Sequence, residues 1–582
     1  MKALLILPPF YSQYMVSPGG PQILSYLKSK NYDVKALDLN IKFFNYLYNE
    51  KVLNNLLLEL YEIYKNKDKY NFFDAYYNSL DEFFNNKKLV YKVHNAIKNI
   101  DNIKQSLKSS KTFSNQHTQQ FLFASVKDIQ QLIDLIFRDI VPYDDRKYFI
   151  NYSPISTYKN FLNLVIDDIL KEKYEYIGFS VNSDSQFITS LITAKLLKEK
   201  GYKGKIGLGG TNVFKDLKVI KEDKSLFQKY VDIVLVGQGE YSHEEYFEFL
   251  NGKRELDDVC NIIYLDENEN IVVNKEKYLS VKDYCIPCYD GYDFSEYMLP
   301  EPILPIRASY GCYWGKCTFC LTYYNNQNYL FIRKVDDLIE GIKFYIKTYN
   351  INTFYFLDSA LPPEYLDEFA TKIIKQKIKI YFLMQNRLEE AFDKTLLKKL
   401  YKAGLRLCLW GLESASPKIL EKMNKGINVD TAQKIIRTAH SVGIANLVTW
   451  MYNFPEDTIE DFNLTYNFFK KNIKFIKIIA FCAFRLPTFS YMYSHPEEFG
   501  LDKELIKQAE IRLQYNDLIP GDMIGYKISS TQEEKIREIK KACYEYNEKQ
   551  SGTVETLLLY YSKYNKNFLR NIHFMIQSIC KK

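Results

Sequence analysis

Six strand-and-helix units follow one another between residues 301 and 485, and this repetition leaves few folds open. The strands are "ILPIRAS", "NTFYFLD", "IKIYFLM", "LRLCLWGLE", "IANLVTWMYNF" and "FIKIIAFCAF". Between them run amphipathic helices such as "VDDLIEGIKFYIKTY", "PEYLDEFATKIIKQ", "DKTLLKKLYKAG" and "NVDTAQKIIRTAHSVG". Sequential βα units of this size predict a parallel sheet curling into a full or partial barrel, with its chemistry on the loops after the strands' carboxyl ends.

A second alternating pattern occupies residues 1–42 and resumes at about 172–252. "KALLILPPF", "DVKALDLN", "YEYIGFSVNSDS", "KIGLGGTNV" and "VDIVLVGQGE" read as strands ending in glycine-rich or small polar loops, with helices between them. That predicts a doubly wound, Rossmann-like parallel sheet whose ligand loops lie at the carboxyl ends of its strands. The bland reading is that the glycines merely close tight turns. Residues 43–171 interrupt the pattern with apolar residues at helical spacing, as in "KVLNNLLLELYEIY", and predict a helical insertion. A connector with a short β-hairpin covers 253–300, and 486–582 reads as a helical C-terminal extension. The expected domains are therefore 1–252 (insertion about 43–171), 253–300 as connector, 301–485 as barrel and 486–582 as extension. Within the extension, Thr531 and Glu534 read as a capping box, and "TVETLLLYYSKYNKNFLRNIHFMIQSICKK" as a terminal helix.

The loop after the first barrel strand, "SYGCYWGKCTFCLTYY", places Cys312, Cys317 and Cys320 in a C-x4-C-x2-C spacing, in a chain with ten cysteines. Structural zinc normally takes four ligands, and no fourth Cys or His follows at a finger spacing. A fully cysteine-ligated iron–sulfur cluster also takes four. Three thiols on one tight loop suit a cluster with one iron free for a substrate or cofactor; zinc or unligated cysteines stay open as alternatives. Cys285 and Cys288 form a separate CxxC, which reads as structural because no second thiol pair accompanies it.

Composition limits the partners. The net charge of +7 is small for 582 residues, so nucleic acid is not expected. The start "MKALLILPPF" reads as a buried strand rather than a signal peptide, and no apolar run approaches a membrane span. A reducing cytoplasm fits these features. No G-x4-G-K-[ST] phosphate loop occurs, which argues against nucleotide hydrolysis.

"ILPIRASYGCYWGKCTFC" resembles the cluster loop of radical S-adenosylmethionine (SAM) enzymes, in a variant with one extra residue found in members that carry an N-terminal cobalamin-binding domain. "LPPF", "SPGG", "LDLN", "GFSVNSDS", "LGGTN" and "VGQGE" resemble that domain, "WGLESASPKILEKMNKGIN" the family's fourth barrel strand, and "NFPEDTIEDF" its fifth. The resemblance spans all but the insertion and the extreme C-terminus. It implies that Cys312, Cys317 and Cys320 hold a [4Fe-4S] cluster whose fourth iron takes SAM. It further implies that Phe319, Asp358, Arg387, Glu413 and Ser414 contact SAM. Cobalamin would rest on Pro9, Phe10, Ser17, Gly19, Ser180, Asn182, Gly209, Gly210, Gly237, Gly239 and Glu240. None of the six histidines sits in an Asp-x-His-x-x-Gly motif, so cobalamin would be base-off, without a histidine lower ligand from that motif. Two departures are Tyr310, where relatives often have Arg, and Glu456, where "PEDT" replaces a common Pro-Gly-Glu-Thr.

The implied activity is methylation of an unactivated carbon through a 5′-deoxyadenosyl radical and methylcobalamin, with electrons from a flavodoxin or ferredoxin. Ring rearrangement, cyclisation or phosphorus methylation could use the same cofactors, and a cobalamin-binding sensor is the non-enzymatic alternative. "FRLPTFSYMYSHPEEFGL" resembles a segment of radical SAM proteins that mature ribosomal peptides, which points to a peptide or small-molecule substrate; a surface extension is its bland reading.

Overall fold

The computed structural model describes residues 1–67, 74–109, 116–136, 143–152, 156–300, 303–322, 331–512 and 518–543. The chain divides into two compact units, one built on Met1–Ser109 and Leu122–Glu301, the other on Pro302–Ile511.

The first unit is organised by β1 (Lys2–Leu7), α1 (Gly19–Ser29), β2 (Asp33–Asp38), β3 (Tyr176–Ser180), β4 (Lys205–Gly209) and β5 (Ile233–Leu235). These strands are parallel, and with β6 (Ile262–Leu265) and β7 (Ile271–Val273) they form one sheet ordered β2-β1-β3-β4-β5-β6-β7. β1 and β3 are almost continuously apolar because helices cover both faces, as a buried parallel strand requires. The chain steps from β1 to β2 on one side and to β3 on the other, which makes the carboxyl ends of β1 and β3 the topological switch point. The hairpin at 262–273, expected in a connector, instead adds antiparallel strands to this sheet: Ile233 faces Tyr264 and Ile263 faces Val273.

Between β2 and β3 the described chain is helical. It runs through α2 (Leu39–Leu47), α3 (Glu50–Lys65), α4 (Asp74–Asn85), α5 (Lys87–Lys98), α6 (Ile100–Leu107), α7 (Gln116–Ile133), α8 (Tyr143–Tyr152) and α9 (Thr157–Lys171). In α3 the buried residues Leu53, Leu56, Leu60 and Ile63 recur at helical spacing, and Asn49 caps the start by accepting from Val52 N at 3.2 Å. After β3 come α10 (Asp184–Glu199), α11 (Thr211–Lys215), α12 (Leu217–Ile220), α13 (Lys224–Lys229) and α14 (Gly239–Leu250).

The second unit is an open parallel β/α barrel of six strands: β8 (Leu304–Ile306), then β11 (Thr353–Phe356), β12 (Tyr381–Asn386), β13 (Leu405–Glu413), β14 (Ala445–Tyr452) and β15 (Ile478–Ala483). Each new strand adds to the same edge, giving the order β15-β14-β13-β12-β11-β8. A two-stranded ribbon, β9 (Ser309–Tyr310) against β10 (Phe331–Ile332), brackets the cysteine loop. Beyond the barrel, β16 (Arg485–Pro487) pairs with β17 (Leu518–Pro520), and a helix spans Ser530–Cys543.

That last helix corrects the expected capping box. Its first residue is Ser530, so the cap is Ser529 and the third helical position is Gln532, two residues earlier than Thr531 and Glu534. Gln532 N donates to Ser529 Oγ at 3.3 Å while Gln532 Oε1 accepts from Ser529 N at 2.9 Å. The expected terminal helix over 553–582 lies outside the described residues. Among the described residues no helix is long and apolar enough to cross a membrane.

Candidate functional site

The cysteine loop leaves β8 at the carboxyl edge of the barrel and is fixed from beneath by Asp358. That carboxylate, buried just past β11, accepts from Ala308 N at 3.0 Å, Ser309 N at 2.5 Å and Ser309 Oγ at 2.8 Å. Burial pushes its pKa up, against the pull of these donors and of Arg307. The structure therefore places Asp358 under the loop, with its oxygens engaged by the loop backbone.

The far side of the loop is tied to the segment after β13. Trp314 Nε1 donates to Asn424 O at 2.9 Å, Thr318 Oγ1 to Lys422 O at 3.0 Å, and Thr318 N to Met423 O at 3.0 Å. Trp314 also lies against Gly426, where a Cβ would come within 2.4 Å of the indole and φ is +64°, so only glycine fits.

Two buried cations stand beside Cys317. Arg387, 4% exposed, follows β12 and stacks over the Trp314 ring at 4.0 Å. Its Nε pairs with Glu389 at 2.6 Å, Nη2 donates to the Lys425 carbonyl, and Nη1 lies 4.0 Å from Cys317 Sγ. Lys425 ion-pairs with Glu413 at 3.0 Å and lies over the Phe319 ring at 5.6 Å. Burial opposes the Lys425 charge, yet Glu413 and Cys317 outweigh it and raise its pKa. Burial likewise raises the Cys317 thiol, while Lys425 and Arg387 pull it down. A thiolate bound to iron is an anion, so these cations match the charge that a ligated Cys317 would carry.

Cys320 N donates to Cys317 O at 3.2 Å, and Cys320 Sγ lies 3.0 Å from Thr322 Oγ1. Among the described residues no three His, Cys, Asp or Glu side chains gather as a single metal ion requires. Three thiols on one loop are the donor type that an iron–sulfur cluster takes, one iron to each.

Glu413 ends β13 where the register with β14 shifts, and its φ of +66° turns the chain sharply at the barrel edge. Ser414 Oγ is 3.2 Å from Thr465 Oγ1 and accepts from Ser416 N at 3.1 Å. Glu456 adopts φ +63°, the left-handed conformation that the glycine of Pro-Gly-Glu-Thr would favour. Phe319 packs edge-on against Phe454 at 6.3 Å. Phe319, Arg387 and Glu413 thus meet around Lys425, while Asp358 lies below the loop. Lys425 was missed by sequence reasoning, although "MNKGIN" places it in a quoted family segment.

In the first unit the loops after β1, β3 and β4 are interlocked. Gln186 Nε2 donates to Pro8 O at 2.8 Å and Gln186 Oε1 accepts from Asn182 N at 2.8 Å. Asn182 Oδ1 accepts from Thr211 Oγ1 at 3.2 Å, and Asn182 Nδ2 reaches Ser17 Oγ at 3.4 Å. A Cβ on Gly19 would come within 3.0 Å of Ser180 Oγ, and one on Gly210 (φ +116°) within 2.2 Å of Val181 O. Gly209 O accepts from Val181 N at 2.7 Å. Gln186 and Asn40, which binds Tyr11 N and Ser12 O, were also missed; the first opens a predicted helix and the second ends a predicted strand. Phe10 holds φ +73° with its ring against Phe43 and Phe44.

Gly237 (φ +74°), Gly239 and Glu240 follow β5, and α14 begins at Gly239. His243 on α14 has both ring nitrogens engaged, Nδ1 with Gly239 O at 2.6 Å and Nε2 with the Tyr176 hydroxyl at 3.2 Å. The contacts among the loops after β1, β3 and β4 bring the loop backbones together at the topological switch point, where doubly wound sheets bind ligands. Cys285 and Cys288 are half-buried free thiols on a stretch packed against α1, where Ser25 Oγ donates to Ile286 O at 2.7 Å.

This fold and this loop define a class of protein, an α/β chain whose open parallel barrel carries three clustered thiols at its carboxyl edge. Residues 306–469 match the Radical SAM superfamily, and this domain belongs to it. Domains of that superfamily work with a [4Fe-4S] cluster and SAM. An uncharacterised methyltransferase of Pyrococcus horikoshii is 27% identical over 246 residues, 41% of this chain and 53% of that protein. The bacteriochlorophyllide d C-12(1)-methyltransferase of Chlorobaculum tepidum is 26% identical over 217 residues, 34% of this chain and 45% of that protein. The matched regions span about half of these relatives' length. Among solved structures, the radical SAM methyltransferase TsrM from Kitasatospora setae, with cobalamin and a [4Fe-4S] cluster bound, covers 88% of this chain and 76% of its own. Its TM-score is 0.55 at 12% identity, a likeness of fold.

Proposed function

We propose that the chain is a cobalamin-dependent radical SAM methyltransferase that methylates an unactivated carbon of a peptide or other natural-product intermediate. One observation carries the reading most directly: Cys317, in the three-cysteine loop at the barrel's carboxyl edge, lies 4.0 Å from Arg387 Nη1 and feels the charges of both Arg387 and Lys425. The methyltransferase names of the P. horikoshii and C. tepidum relatives support methyl transfer.

In this reading Cys312, Cys317 and Cys320 each hold one iron, and Asp358 keeps the loop in shape by gripping Ala308 and Ser309. Arg387 and Lys425 offset the negative charge of the ligated thiolates. Phe319, Glu413 and Ser414 line the place for SAM, with Lys425 setting the Glu413 carboxylate in position. The loops bearing Pro9, Phe10, Ser17, Gly19, Ser180, Asn182, Gly209, Gly210, Gly237, Gly239 and Glu240 hold cobalamin by their backbones. His243 has both ring nitrogens engaged by Gly239 and Tyr176, so it would not be available as a ligand to the cofactor. When bound, the cofactors supply a carbon radical able to abstract hydrogen from an unactivated carbon, and a methyl group to place there. The protein's share is to orient the reactants and exclude water. A flavodoxin or ferredoxin would deliver the electron.

The test is anaerobic reconstitution followed by incubation with SAM, cobalamin, reductant and candidate substrates. The reading expects both 5′-deoxyadenosine and S-adenosylhomocysteine, and a product heavier by one CH2. 5′-Deoxyadenosine with an isomerised product of unchanged mass would replace methylation by rearrangement.

A further inference from the structure

Nothing above gives a role to the helical segment between β2 and β3, yet one of its side chains reaches the loops at the sheet's carboxyl edge. Arg146 on α8 is 1% exposed. Its Nη1 and Nη2 grip both oxygens of Asp216, at 2.6 and 2.7 Å, and Nη1 lies 3.4 Å from Asp184 Oδ1. The rings of Tyr143 and Phe187 flank the guanidinium at 5.2 and 5.4 Å.

The two carboxylates belong to different loops. Asp216 directly follows α11, the helix after β4, and accepts from Asn212 Nδ2 at 3.1 Å. Asp184 opens α10, the helix after β3, and pairs with Lys215 at 3.0 Å. The same first turn of α10 carries Gln186, which holds Pro8 O in the loop after β1. One guanidinium therefore joins the start of α10 to the end of α11, and through Gln186 the link extends to a third loop.

We propose that Arg146 is a positioning residue for the cobalamin site, setting the loops after β3 and β4 in their binding arrangement before the cofactor arrives. The inference rests on reading this unit as cobalamin-binding. An apolar residue of similar volume would attach α8 to α10 without the cost of burying a charge. What the arginine adds is direction, because its planar fork fixes the plane of the Asp216 carboxylate and the chain that bears it. Loops ordered in advance spare the cofactor the entropy of ordering them.

The experiment uses the full-length, anaerobically purified protein, aquocobalamin titrated by visible absorbance, and the variants Arg146→Lys and Asp216→Asn. Both variants should weaken cobalamin about tenfold or more, the equivalent of ordering one or two side chains afresh. Hydrogen exchange in the cobalamin-free variants should speed up about tenfold over 181–186 and 209–216, with β1, β3 and the barrel strands protected as in wild type. Iron content should not change. Cobalamin affinity within twofold of wild type in both variants would overturn the proposal. Lost protection throughout β1 and β3 would overturn it too, by showing that Arg146 merely holds the fold. Failure of the wild-type protein itself to bind cobalamin would instead overturn the reading of the unit, and the inference with it.

Discussion

His243 shows how a single side chain in this protein gains a direction of titration. A carbonyl can only accept, so the bond to Gly239 O puts the ring proton on Nδ1, and Nε2 accepts from Tyr176. Burial holds the imidazole at about 4, below its usual 6.5. Between those values the unfolded chain binds a proton that the folded chain refuses, so this residue costs stability as pH falls through 6.5 toward 4. Asp38, pushed up to about 6 by burial, works in the opposite sense over the lower part of that range. The comparison of wild type with His243→Gln isolates the histidine. Urea denaturation of the cofactor-free protein should show the variant gaining about 2 kcal/mol relative to wild type between pH 7 and pH 5. A pH-independent difference would mean that His243 is not buried as a neutral base. The burial of His243 was not legible in the sequence, since nothing in "GEYSHEEYFEFL" marks which helix face meets β3. The cysteine triad was legible because its chemistry lies in its spacing. The surroundings of Cys317 were not: Arg387 and Lys425 come from 70 and 108 residues away, and only folded strands bring them to the loop.

At the scale of elements, glycines at strand ends decide how closely the loops can pack. Gly210 is the sharpest case, since its φ is +116° and an added Cβ would meet Val181 O at 2.2 Å. Gly210→Ala should therefore destabilise the cofactor-free protein by about 2–4 kcal/mol, read from the urea midpoint, because both the dihedral and the contact are unfavourable. A loss under about 0.5 kcal/mol would show that the loop relaxes freely. The strands themselves were readable as apolar runs ended by glycines, and so were the parallel crossovers. The hairpin at 262–273 was recognisable, but its sheet was not, because the pairing of β5 with β6 depends on a distant strand. The capping box was misplaced by two residues because Ser529-x-x-Gln532 and Thr531-x-x-Glu534 both satisfy the pattern. Which serves as the cap depends on where the preceding turn releases the backbone.

At the scale of the whole chain, two sheets built on parallel strands, with different loop chemistry, share one polypeptide. Alternation of strand and helix made both visible in the sequence, whereas the tie from α8 to Asp184 and Asp216 was not, because only the folded chain brings Arg146 to those carboxylates. The central claim is that Cys312, Cys317 and Cys320 hold a [4Fe-4S] cluster with one corner open to SAM. Electron paramagnetic resonance of the dithionite-reduced, reconstituted protein, recorded with and without SAM, tests it most directly. The account predicts a reduced-cluster signal, supported by about four irons per chain, whose g-values shift when SAM is added. A protein that takes up no iron and sulfide, or whose cluster signal is identical with and without SAM, would contradict it.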